Sequence, residues 1–76
     1  MYSKASVQDV NIGDEVMLLK DDYAGLVKGM LGKVINIDYD NQFITVEWEP
    51  RNYKEQKKPV VDGFSEDELK HLAFYE

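Results

Sequence analysis

The sequence predicts a small all-β domain, and three observations carry that prediction. Apolar residues recur two apart in short runs, most clearly at Ile44, Val46 and Trp48, which is the period of a strand with one buried face. Turn-forming residues separate the runs, at Gly13-Asp14, Asp40-Asn41 and Asp62-Gly63. The chain has 76 residues, enough for one domain with a small core.

The elements follow in order. Residues 1–9 are polar with scattered small residues and read as a loose lead-in to a single domain over 10–76. Residues 10–14 turn into a first strand over 15–20, with Val16 and Leu18 on one face. Paired acids and two glycines make residues 21–30 a long loop rather than a helix. A second strand over 32–39 is rich in β-branched residues. Asp40-Asn41 has the chemistry of a tight hairpin turn. A third strand over 42–48 places Ile44, Val46 and Trp48 on one face, the predicted core side. Phe43, Thr45 and Glu47 fall on the other. Residues 50–58 are polar, and Pro59 weakens a short strand over 59–61. Asp62-Gly63 reads as a turn. Ser65 with Glu68 three residues on is a capping box, opening one helical turn over 65–69. Residues 72–75 form a closing strand.

The inventory excludes several function classes. The absence of cysteine removes disulfides, thiolate metal sites and a cysteine nucleophile. The one histidine, His71, has few partners for acid–base work and reads as a solvated or strand-edge residue. No carboxylate is locally paired with a histidine or a metal motif, so no catalytic residue, metal site or cofactor is expected. Asp38, Asp40, Gln42 and Glu49 faintly echo a calcium loop. Phe43 stands where that loop needs glycine, and a strand pattern runs through it. No stretch is apolar enough to span a membrane, and the start has no apolar leader core. A cytoplasmic location is therefore expected.

Taken together, the pattern is Gly13-Asp14-x-Val16-x-Leu18, a loop, Gly29-x-x-Gly32-x-Val34-x-x-Ile37, Ile44-x-Val46-x-Trp48, then Phe64-x-x-x-Glu68-Leu69-x-x-Leu72. It resembles SH3-like small barrels. It is similar to the photosystem I accessory subunit and its electron-transport relatives, to the Tudor-like end of bacterial repair helicases, and to small bacterial and phage proteins. The resemblance implies an SH3-like barrel of about five strands with one short helical turn near 65–69. Gly29 and Gly32 would supply a positive φ or a close approach where the first loop rejoins the sheet.

Charge is unevenly spread. Fifteen acids and nine bases give −6 overall. Residues 51–58 hold four bases and one acid, a local +3 that leaves −9 on the remainder. Such a dipole orients partners. The basic segment with Tyr53, Lys54, Lys57 and Lys58 is one candidate contact; a solvated hairpin tip that guards a strand edge is the plainer reading. The acidic first loop, Asp21, Asp22 and Tyr23, is a second candidate, against a merely solvated loop. It resembles the acidic loop of signalling SH3 domains, whose Ala-Leu-Tyr-Asp-Tyr run and tandem tryptophan are absent here. Phe43, out of phase with the core residues, is the third.

The expected function is a non-catalytic module docking on a larger protein. The alternatives are a nucleic-acid-binding barrel, disfavoured by the net charge; an acidic phage or mobile-element inhibitor of a host nucleic-acid-binding protein; and an accessory subunit of an electron-transfer complex.

Overall fold

The computed structural model describes residues 3–20, 26–49 and 60–75. It is all-β. Five strands, β1 (Glu15–Leu18), β2 (Leu31–Asp38), β3 (Phe43–Trp48), β4 (Val60–Ser65) and β5 (Leu72–Phe74), form one antiparallel sheet in the order β4-β3-β2-β1-β5. The sheet does not close on itself, and β4 and β5 are its edges. Two 3₁₀ turns, Val7–Asp9 and Glu66–His71, complete the described elements.

The inner face follows the alternation. Val16 and Leu18, Val34, Ile44, Val46 and Trp48, then Phe64 and Phe74 are all buried. Trp48 is fully buried, and its indole meets Phe64 edge-on at 6.0 Å between ring centroids. Gly32 lies beneath it. A Cβ on Gly32 would stand 2.7 Å from Trp48 Cε3 and 2.9 Å from the Glu47 carbonyl oxygen, so only glycine fits there. Gly29 serves differently, with φ at +93° in the turn that leads into β2.

β2 is bent by a bulge. Val34 pairs with Val46 and Asn36 with Thr45, leaving Ile35 as the extra residue. The bulge lets Val34 and Ile37 both serve the core side while Ile35 and Asn36 face solvent. The β2–β3 connection is longer than a two-residue Asp40-Asn41 turn. Asp38 pairs with Phe43, and Gln42 takes φ = +55°. The Asp38 carboxylate holds the connection, accepting from the backbone N–H groups of Asp40 and Asn41 and from Asn41 Nδ2 at 2.7 Å.

Two further expectations are corrected. Asp62-Gly63 is not a turn but the middle of β4, which runs on to Ser65; Gly63 pairs with Thr45 and Asp62 with Val46. Its Asp-Gly composition suits a turn, yet pairing along β3 holds it extended. The helical turn runs to His71, past residue 69, and is 3₁₀. Its start is as expected, with Glu68 Oε1 accepting from both the Ser65 backbone N–H and hydroxyl.

The lead-in contributes to the core. Val7 and Val10 are buried, and the Val7 N–H donates to Glu66 Oε2 at 3.0 Å, tying the segment to the second 3₁₀ turn. Lys4 Nζ pairs with Asp14 Oδ2 at 2.8 Å, donates to the Asp9 carbonyl, and lies 5.0 Å from the Phe74 ring centroid. Its side chain is only 8% exposed. Lys4→Met should therefore lower stability by about 1–3 kcal/mol, the scale of a charge-assisted hydrogen bond lost from a largely desolvated site. Urea unfolding of the variant measures this, and a segment without tertiary contacts would give no change.

Candidate functional site

The sheet's outer face is the candidate site, and pairing register sets its layout. One row across the strands reads Tyr75, Glu15, Lys33, Glu47 and Val61. The row on one side of it contains Met17, Leu31 and Glu49. The row on the other side contains Asn36, Thr45 and Gly63, with Ile35 bulged beside Asn36, and Phe43 lies beyond. Each of these belongs to the out-of-phase set of its strand, which is why it faces away from the core.

This face has two halves. The first carries Ile35 and Phe43, each 40% exposed, with Val61, 53% exposed, at its margin opposite Glu47. Phe43 has the outward position its spacing predicted. Its ring lies over Gly63, where a Cβ would collide with it. The ring thus covers bare β4 backbone, the cross-strand arrangement that rescues a glycine in a sheet. The second half is acidic. Two shallow depressions flank the backbone at Gly32, with Glu15 and Glu49 lining both and Glu47 one. Leu31, 45% exposed, lines the other, with Tyr75 beside it.

The sheet edges are less open to a partner strand than the face is. Glu66 N donates to the Gln42 carbonyl, which sets the phase of the β3–β4 ladder. By that alternation the N–H groups of Val61, Gly63 and Ser65 point away from β3. Gly63 N donates instead to Asp62 Oδ1 at 2.8 Å, and Ser65 N to Glu68 Oε1 at 3.1 Å. Two of these three outward donors are capped by carboxylates, which blunts the edge. β5, at the other edge, has three residues, and its Leu72 N–H is taken by the Leu69 carbonyl.

Of the residues singled out from the sequence, Asp21, Asp22, Tyr23, Tyr53, Lys54, Lys57 and Lys58 lie outside the described residues. Sequence reading did not select Glu15, Leu31, Ile35, Glu49 and Val61 as contacts. Their signal was the strand alternation itself, but only the register shows that out-of-phase residues from four strands share one surface. Among the described residues no group of three metal-ligating side chains gathers, no polar or charged residue is fully buried, and no helix is long and apolar enough to cross a membrane. His71 ends the second 3₁₀ turn, its carbonyl accepting from Leu19 N.

Two outcomes follow. Replacing both caps, Asp62→Ala with Glu68→Ala, should free the Gly63 and Ser65 donors and produce concentration-dependent self-association by sedimentation velocity, where the parent chain gives none. Asp38 should titrate below the ordinary carboxylate range, because Asn41, through its side chain and then its backbone N–H, stabilises the ionised form. A lowered folded-state value means the Asp38 contribution is present above the unfolded-state pKa and is lost as pH falls through the folded-state one. Carboxylate-carbon NMR titration would follow this, and Asn41→Ala should move the midpoint upward.

In comparisons with known proteins, no family model, no curated protein and no solved structure matches this chain.

Proposed function

We propose that this chain is a non-catalytic docking module of SH3-like barrel plan that binds a larger protein through the outer face of its sheet. The strand order β4-β3-β2-β1-β5 supports the barrel plan, as do the long connection after β1 and the 3₁₀ turn between β4 and β5. That turn and the buried Val7 and Val10 pack beside the open side of the sheet, through the bond from Val7 N to Glu66.

The observation that carries the functional reading is Ile35, Phe43 and Val61 exposed together on a face that also bears Glu15, Glu47 and Glu49. Exposed apolar side chains beside charge are what a protein interface uses, the first for buried area and the second for orientation. The acidic loop at 21–23 and the basic segment at 51–58 extend the same proposal. β1 ends, β2 begins, β3 ends and β4 begins at one end of the sheet, so both connections start and finish there, next to its acidic half.

The test is capture from source-cell lysate on the immobilised chain, with and without nuclease, followed by mass spectrometry. One protein should be retained after nuclease. Its yield should fall about tenfold on Ile35→Lys with Val61→Lys, the scale of losing interface anchors. Both positions are outside the core, so the urea midpoint should hold. Retention indifferent to the double variant would overturn the face. Signal that vanishes with nuclease would overturn the docking reading in favour of nucleic-acid contact through Tyr53, Lys54, Lys57 and Lys58.

A further inference from the structure

We infer that the acidic half of the outer face receives an arginine side chain from a basic segment of the partner protein. The inference rests on the docking reading and names the partner's chemistry.

Three features meet at this place. Glu15 on β1 and Glu47 on β3 both pair with Lys33 on β2, so the two carboxylates stand on either side of one strand. Glu49 follows two residues after Glu47, its N–H on the Leu31 carbonyl. Among the described residues Lys33 is the one cation lining either depression, against three carboxylates. No ion pair or side-chain hydrogen bond engages Glu15, Glu47 or Glu49 among the described residues. Beside Glu15 and Glu49 lies apolar surface, Leu31 with the half-buried Tyr75, whose hydroxyl is turned to Met17 Sδ.

An arginine matches this surface better than a lysine does. Its guanidinium presents donors on several sides of a plane and can engage carboxylates on two walls at once, whereas an ammonium is a point charge. Its methylenes and the guanidinium plane have Leu31 and the Tyr75 ring to lie against. A nucleic-acid backbone is repelled by the same carboxylates. A strand added at an edge would meet the caps on β4 instead. The occupant is therefore a side chain presented to the face, carried on a segment whose apolar residues reach Val61 and Ile35.

The experiment uses the full chain, labelled with ¹⁵N, and a short blocked peptide with two arginines flanking a leucine. A lysine version of the peptide is the control. Amide shifts should concentrate at residues 15, 31–33, 47 and 49, and the lysine peptide should bind roughly threefold or more weakly. Glu15→Gln with Glu47→Gln and Glu49→Gln should weaken the arginine peptide about tenfold while leaving the rest of the spectrum in place. Lys33→Ala should tighten it by removing the competing cation. Equal binding of both peptides, or shifts spread to distant acids such as Asp9 and Asp67, would overturn the site as general charge attraction. The lysate experiment separates the two proposals. A captured protein indifferent to the triple glutamine variant removes the arginine site and leaves the docking module. A peptide that binds as expected, with nuclease-sensitive capture, removes the module and leaves the site.

Discussion

The contact between Trp48 and Gly32 organises the molecule. The largest side chain of the core lies against the one core-facing position on β2 that has no side chain. Val16 and Trp48 pair with Gly32 from either side, so three strands meet around bare backbone. A methyl group there would press on the indole, on Val46 Cγ1 and on the Glu47 carbonyl at once, and the last of these cannot move without breaking the ladder. The same row positions the outer face, because the residues flanking Gly32 and Trp48 in sequence are Leu31, Lys33, Glu47 and Glu49. The core contact and the candidate site are two sides of one stretch of sheet.

A five-stranded open sheet of this size must cover its inner face with other chain. Here the second 3₁₀ turn brings Leu69 into the core, and the N-terminal segment brings Val7 and Val10. Polar contacts hold that cover. Glu66 receives the Val7 N–H, and Asp14 Oδ2 receives both Lys4 Nζ and the Asn11 N–H. Carboxylates recur in this role throughout. Asp38 closes the β2–β3 connection, while Asp62 and Glu68 cap outward donors on β4. Part of the chain's acidity is thus structural, satisfying backbone N–H groups that a small sheet leaves without partners. The exposed carboxylates at 15, 47 and 49 bind no such donor among the described residues.

Much of the fold was legible in the sequence. The run from Ile44 to Trp48 gave β3 and its buried side, because a strand with one face in the core must alternate. Ser65 and Glu68 marked the helical turn, because their geometry is local. The spacing of Val34 and Ile37, three apart within one strand, is the footprint of the bulge, although a strict period of two does not explain it. Asp62-Gly63 was misread because turn propensity is a local preference, here overridden by six consecutive pairings with β3. Residues 1–9 looked loose because one valine, Val7, among polar and small residues shows no period.

The sequence by itself determined the all-β class, the core faces of β1 and β3, the cap at Ser65 and the outward position of Phe43. Each follows from neighbours one to four residues apart. Tertiary structure alone decided that Glu15, Leu31, Glu47, Glu49 and Val61 share one surface, that Phe43 covers Gly63, and that Gly32 accommodates Trp48. These depend on register between strands, and register is fixed by packing across the whole sheet rather than by any one segment.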